Sequence, residues 1–299
     1  MKHKLFIATS SFKVSKDIIL KCKRLDLIIK KNPLKKKLNN AQLIEFAKDA
    51  SFIIAGTEEY TNLTFRKLKK LKMIFRLGSG TDNIDLKIAK EFKVKILKSK
   101  ITPEVAVSEI IVSNIINILR KIYLQDQNLK NNIWKKEMGH TLKDKTVGIV
   151  GFGKIGRYLY KLLKNFGVKI LINDIKKIKN KKNTSLDNLL KNSDIVSLNL
   201  NLNNMNNQLI NKQKLNLLKK ESILVNCSRP ELLDYKFLLK ILKKRKIKGA
   251  ILDVYPNEPY TGEFQKLKNV ILTPHIGSYA FEVRNLMEQE SLSKILNSL

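Results

Sequence analysis

The stretch Thr146-Val-Gly-Ile-Val-Gly151-Phe-Gly153-Lys154-Ile155-Gly156 decides the fold. A short apolar run enters three glycines spaced G-x-G-x-x-G, and an amphipathic stretch from Lys154 to about Asn165 follows. The spacing alone is a weak signal; the strand before it and the helix after it supply the context the motif needs. Gly151 permits the tight turn, Gly153 lets the backbone approach a pyrophosphate, and Gly156 lets the helix pack close to the strand. The helix start then offers N–H groups and the positive end of its dipole to phosphate. Lys154 and Ile155 sit at that start and join the three glycines as candidate cofactor-binding residues. The next apolar run ends in Asp174, 23 positions after Gly151. A carboxylate there meets adenosine ribose hydroxyls and repels a 2′-phosphate, so NAD is expected rather than NADP. Lys176 and Lys177 work against that preference, and a turn-capping Asp is the plainer alternative.

Downstream, three more apolar runs each end in chemistry-bearing residues. They are Val225-Asn-Cys227-Ser-Arg229, Leu252-Asp253-Val-Tyr-Pro-Asn-Glu258-Pro259 and Leu272-Thr-Pro-His275-Ile-Gly-Ser278. Carboxyl ends of parallel strands face the ligand crevice in such sheets. Hydride transfer to a 2-keto acid needs a proton donor for the carbonyl oxygen, and imidazole titrates near neutral pH. His275 is the candidate, with Glu258 to hold the ring. Arg229, one of eight arginines, offers a planar fork for a substrate carboxylate. Cys227, inside the first of these segments, is a candidate cofactor contact. Singly, each reads as structural; the joint appearance at successive strand ends carries the functional reading. His3, in the first strand, and His140, in a polar connector, are the alternative histidines.

Upstream the same alternation holds. Leu5–Ala8, Leu27–Ile29, Phe52–Ala55, Met73–Leu77 and Val94–Leu97 read as strands with amphipathic stretches between them. Ile101-Thr102-Pro103-Glu-Val opens one long helical pattern to about Leu129, with Thr102 as cap and Pro103 at the first helical position. Its apolar residues crowd several sides, which expects burial against another domain or subunit. The tail Ala280–Leu299 reads as a final helix. Two such series in 299 residues expect an α/β protein of two doubly wound parallel-sheet domains. These are a flavodoxin-like substrate domain (1–100 plus 280–299) and a Rossmann dinucleotide-binding domain (101–279), with a cleft between.

The formal net charge of +33 comes mostly from lysine spread along the whole chain. A nucleic-acid binder would show clustered Arg, stacking aromatics or a recognition motif. The expectation is a solvated basic surface with salt-sensitive attraction to polyanions and no specific nucleic-acid partner. Two cysteines, Cys22 and Cys227, allow no disulfide framework and no zinc spacing, which suits a reducing cytoplasm. The start of the chain reads as a strand rather than a signal peptide, no run of about 20 apolar residues suggests a membrane span, and no metal is expected.

On these residues the sequence resembles the D-isomer-specific 2-hydroxyacid dehydrogenase family, which includes phosphoglycerate dehydrogenases. The resemblance covers essentially the whole chain. It takes in Arg76-Leu-Gly78-Ser79-Gly80-Thr-Asp-Asn83-Ile-Asp85, the glycine cradle, the Arg229 segment and Thr273-Pro-His-Ile-Gly277. It implies NAD-dependent oxidation of a small D-2-hydroxyacid, with 3-phosphoglycerate a leading candidate, carried by Arg229, Glu258 and His275. It implies further that Asp253 holds the nicotinamide carboxamide, that Gly78, Ser79 and Gly80 bind the substrate carboxylate, and that the protein is a homodimer. The chain departs from the family in four places. Pro230-Glu231 follows Arg229 where Gly is usual, and Asn199-Leu-Asn201 replaces the common His and Pro. The segment 102–109 is short. Ala55–Tyr60 lacks an Arg that some phosphoglycerate enzymes use. Two rivals stand beside the enzyme: a non-catalytic NADH-sensing regulator on the same fold, and a nucleic-acid binder using the basic surface.

Overall fold

The computed structural model describes residues 3–13, 16–78, 80–179 and 181–299. They form two compact units: the residues up to Thr102 together with Ala280–Leu299, and Pro103–Tyr279.

In the first unit the strands are β1 (His3–Ile7), β2 (Leu27–Lys31), β3 (Phe52–Ala55), β4 (Met73–Arg76) and β5 (Lys95–Lys98). They run parallel in the order β2-β1-β3-β4-β5, the flavodoxin-like order. Side chains alternate across the sheet. Phe6, Ile53 and Ile74 enter one buried cluster, while Leu5, Ile7, Phe52, Ile54 and Phe75 enter the other. The second cluster is completed by Met287, Leu292 and Ile295 of the helix Phe281–Leu296. Glu290 of that helix accepts from Ser99 Oγ and the Lys100 N–H, and Glu288 accepts from the Lys13 N–H.

In the second unit the strands are β6 (Thr146–Val150), β7 (Lys169–Asn173), β8 (Ile195–Leu198), β9 (Ile223–Asn226), β10 (Gly249–Leu252) and β11 (Val270–Leu272), parallel in the order β11-β10-β9-β8-β6-β7. Both faces are covered, as a parallel sheet requires. Val147, Ile149, Ile195, Val225 and Ile251 point to one cluster; Val150, Val196, Leu198, Leu224 and Leu252 point to the other. Gly148 is small because a Cβ there would lie 2.4 Å from Leu189 of the helix Leu186–Asn192. The full Rossmann order places a third strand outside β7. Here Asn183 and Thr184 bond to that edge: the Thr184 N–H donates to Ile172 O at 2.7 Å and Asn183 Nδ2 donates to Asp174 O at 2.6 Å. The order reverses between β6 and β8, and the glycine turn leaves the sheet at that point.

Three expectations need correcting. The long pattern after Ile101 is two helices, Glu104–Arg120 and Ile122–Lys130, broken at Lys121 in the left-handed region (φ 53°). The first begins at Glu104 with Pro103 as the cap residue, not Thr102. Its apolar face is satisfied inside its own unit: Ile111, Ile115 and Leu119 pack with Leu159 and Leu163 of the helix Lys154–Lys164.

Candidate active site

The glycine turn has the geometry its spacing predicts. Gly151 takes φ +92°, and its N–H donates to Asn173 O at 2.8 Å. A Cβ on Gly156 would sit 2.1 Å from Gly151 O, so the helix could not approach with any larger residue. A Cβ on Gly153 would meet nothing within 4 Å: the space above this residue is open. Gly153 caps the helix Lys154–Lys164 and, being glycine, brings no side chain to cap it; the N-terminal end of that helix favours an anion. Asp174 reaches back from the end of β7: its Oδ2 accepts the Phe152 N–H at 2.6 Å and its Oδ1 the Lys176 N–H at 2.8 Å. An open glycine at the start of a helix and a carboxylate beside the turn fit the pyrophosphate and ribose of a nicotinamide dinucleotide.

His275 and Glu258 are brought together. Nδ1 of His275 lies 3.0 Å from both carboxylate oxygens of Glu258. The His side chain is 33% exposed and the Glu 17%, so the ring stays reachable while its partner is mostly sheltered. Glu258 Oε1 also accepts the Tyr255 N–H at 3.2 Å. With Nδ1 donating to the carboxylate, Nε2 is the nitrogen left for a proton from outside.

The backbone that aims this ring is strained. His275 sits at φ +54°, a conformation that costs a non-glycine residue about 1–3 kcal/mol unless its surroundings impose it. Asp253 imposes it. Its Oδ1 accepts Thr273 Oγ1 at 2.6 Å and the Ile276 N–H at 2.8 Å, and its Oδ2 accepts the Gly277 N–H at 2.8 Å. Asp253 is fully buried. Burial pushes its carboxyl up, and these donors, with His275, pull it back. The resemblance implied a carboxamide contact for Asp253; in this structure both its oxygens are engaged by the chain itself.

Arg229 follows β9. Asn226 donates to Arg229 O and accepts the Ser228 N–H, Ser228 Oγ donates to Leu198 O, and Arg229 Nη1 donates to Ser228 O at 2.8 Å. Pro230 disturbs none of this. It opens the 3₁₀ turn Pro230–Leu232 at a position where no N–H is required. Cys227 is half-buried against the apolar cluster under the glycine turn. Burial, and then the charge of Asp253, push its thiol well up, which disfavours the thiolate.

In the first unit, Gly78 has φ +151°, and a Cβ there would lie 2.0 Å from Arg76 Nη1. Its N–H is spent on Arg76 O at 2.9 Å, so that expected donor is engaged within the loop. Gly80 is half-buried, and Ser79 lies outside the described residues.

Three supports escaped the sequence reading. Tyr235 Oη donates to Val254 O, and Tyr255 Oη donates to Leu252 O and Thr273 O at 2.8 and 2.9 Å. Asn199 turns its amide back onto Ser197 O at 3.0 Å, and its carbonyl would lie 2.5 Å from a Cβ on Gly151. Lone tyrosines and an Asn in a polar run carry no motif. Only the fold shows that they brace the loops of the site.

A nucleotide cradle after β6 and, in the same sheet, a carboxylate-held histidine beyond the neighbouring β10 and β11 define a dinucleotide-dependent dehydrogenase. Residues 112–277 match the model of the D-isomer specific 2-hydroxyacid dehydrogenase, NAD binding domain, and the chain belongs to that family. It is 35% identical over 236 residues to a glyoxylate reductase of Thermococcus litoralis, covering 74% of this chain and 71% of the relative. It is 32% identical over 264 residues to a D-3-phosphoglycerate dehydrogenase of Dictyostelium discoideum, covering 83% of this chain and 64% of that relative. The solved glyoxylate reductase of Paecilomyes thermophila superposes with a TM-score of 0.83 at 27% identity, covering 98% of this chain and 94% of its own. The cofactor is NAD(H), and the substrate is a 2-hydroxyacid or its keto acid. Among the described residues no helix is long and apolar enough to cross a membrane.

Proposed function

We propose that the protein reduces a small 2-keto acid to its D-2-hydroxyacid, reversibly, with glyoxylate the first substrate to test. The observation that carries this is His275 Nδ1 held at 3.0 Å by both oxygens of Glu258, in the same unit as the glycine turn. When bound, the nicotinamide supplies or takes the hydride. Gly151, Gly153, Lys154, Ile155 and Gly156 hold the pyrophosphate, Asp174 the ribose, and Cys227 walls the site. His275 Nε2 delivers the proton to the carbonyl oxygen in reduction and removes it in oxidation. Glu258 stabilises the ring while it is charged, and Asp253 fixes the turn that aims it. Arg229 takes the substrate carboxylate and carbonyl, with the Gly80 N–H, rather than the engaged Gly78 N–H, as a further donor.

The test is NADH oxidation over glyoxylate, hydroxypyruvate, pyruvate, phosphohydroxypyruvate and 2-ketoglutarate, with NADPH in parallel. Turnover with one acid and NADH supports the reading. Tight NADH binding without turnover on any acid overturns it in favour of the sensor. We also propose a cytoplasmic homodimer joined through residues 122–138, where Ile122, Tyr123, Leu129, Ile133, Trp134 (83%) and Met138 (89%) stand exposed. A monomer by light scattering at micromolar concentration would count against it.

A further inference from the structure

Arg229 and Glu258 stand on loops that have already left the sheet. Asn226 and Leu252 are in register at the ends of β9 and β10. One more bond extends the ladder, from the Asp253 N–H to Asn226 O at 3.0 Å. Beyond it no backbone bond among the described residues joins the chain carrying Arg229 to the chain carrying Glu258. Side chains must keep the two loops in register.

Tyr235 does this with one hydroxyl. It is the first residue of the helix Tyr235–Lys243, whose start Asp234 caps through the Phe237 N–H, so the helix needs nothing from its side chain. The ring is buried in an apolar cluster, edge-on to Phe264 with centroids 5.8 Å apart. A phenylalanine would pack there equally well. What the hydroxyl adds is two bonds, one toward each loop. It accepts from Asn226 Nδ2 at 3.4 Å and donates to Val254 O. Burial pushes it up, so it stays protonated and able to donate.

On one side, Asn226 is fully buried, and the same Nδ2 donates to Arg229 O at 2.9 Å while Oδ1 accepts the Ser228 N–H at 3.1 Å. On the other, Val254 is fully buried and its carbonyl has no other donor among the described residues. The N–H that follows, on Tyr255, goes to Glu258 Oε1 at 3.2 Å. A path of bonds therefore runs from the Arg229 carbonyl through Asn226 and Tyr235 to Val254, one peptide from the carboxylate that holds His275. A buried carbonyl stripped of its donor is costly. Without the hydroxyl, Val254 O would turn toward another donor and carry the Tyr255 N–H with it.

We propose that Tyr235 is a positioning residue for the reaction: its hydroxyl sets the Arg229 loop against the Glu258 loop, so that a substrate gripped by one meets the proton carried by the other. The inference rests on the proposed reaction. Tyr235→Phe keeps the ring and removes both bonds. Its kcat with NADH and the best keto acid should fall about tenfold, equivalent to about 1.4 kcal/mol, while NADH affinity by fluorescence changes less than about twofold. A merely structural hydroxyl would cost as much in any background; a positioning one costs only where the carboxylate it places is present. Adding Tyr235→Phe to Glu258→Gln should therefore lower kcat by less than about twofold. An unchanged kcat in the folded single variant, or the full loss repeated in the Glu258→Gln background, overturns the proposal and leaves the reaction class standing. Should Tyr235→Phe fail to fold, Asn226→Ser removes the other end of the tie and goes through the same cycle, and the same readings decide. No turnover of the wild-type enzyme with any acid overturns the reaction class, and this inference with it.

Discussion

Both units bury a carboxylate at the carboxyl edge of a parallel sheet, and they use it differently. In the second unit Asp253 accepts three donors from the Thr273–Gly277 turn. In the first unit Glu58 accepts the N–H of Gly56, two residues back, and burial pushes its carboxyl up. Asp253 ties down a turn some twenty positions away and so sets geometry at a distance; Glu58 closes only the loop it stands in. A buried acid is therefore informative only together with what donates to it.

The comparison breaks or sharpens under four measurements. The largest effect belongs to the ring that Asp253 aims. His275→Ala should lower kcat about 10³-fold, within the range of a lost general acid, while NADH affinity by fluorescence changes little. Near-normal turnover would detach the turn from the chemistry.

Next comes the glycine turn. Gly156→Ala places a Cβ 2.1 Å from Gly151 O and should cost about 3 kcal/mol in thermal or urea unfolding, despite alanine's better helix propensity. Gly153→Ala meets nothing and should leave unfolding unchanged while weakening NADH binding about tenfold, equivalent to about 1.4 kcal/mol. Equal effects from both would show that the open space at Gly153 is not where the phosphates lie.

Asp253→Ala strands Thr273 Oγ1 and two N–H groups, at a cost of about 2 kcal/mol, and should lower kcat by loosening the turn. A stable, fully active variant would erase the contrast with Glu58.

The smallest effect lies at the opposite ends of the same strands. Asp194 accepts the Thr146 N–H at 2.8 Å and Lys219 Nζ at 2.9 Å. Burial raises its carboxyl, but these donors outweigh burial and hold it below the usual value. A depressed folded pKa gives stability that is present above the unfolded value of about 3.9 and lost as pH falls through the folded one. Asp194→Asn should cost about 1 kcal/mol at pH 7. Urea titrations should show that deficit closing below about pH 4. A deficit constant across that range would show that the carboxylate's charge is not what holds Thr146.

Strand and helix periodicity made the sheets legible, because the central strands are buried on both faces and read as apolar runs. The Gly151–Gly156 turn and the His275 and Glu258 pair were legible for another reason: each needs particular residue types at fixed distance from a strand end. The break at Lys121 was hidden, since a lysine in the left-handed region leaves no mark in the hydrophobic pattern. Thr102 looked like the better cap because Ser and Thr usually are; the chain instead enters the helix one residue later, through Pro103. The weight on Asp253 was invisible because three of its bonds come from residues more than 15 positions away. Glu58 and Tyr60 stand in a stretch that the sequence marked only by the Arg it lacks; the fold buries both.

The closing helix Phe281–Leu296 brings Met287, Leu292 and Ile295 to the core of the first unit. That core is therefore assembled from segments on either side of residues 103–279, which form a unit of their own. During synthesis the first sheet must wait, one apolar face incompletely covered, until the helix Phe281–Leu296 has left the ribosome. The middle of the chain can fold first, an inversion of the usual N-to-C order. The waiting sheet is the stretch of this chain with most need of a chaperone.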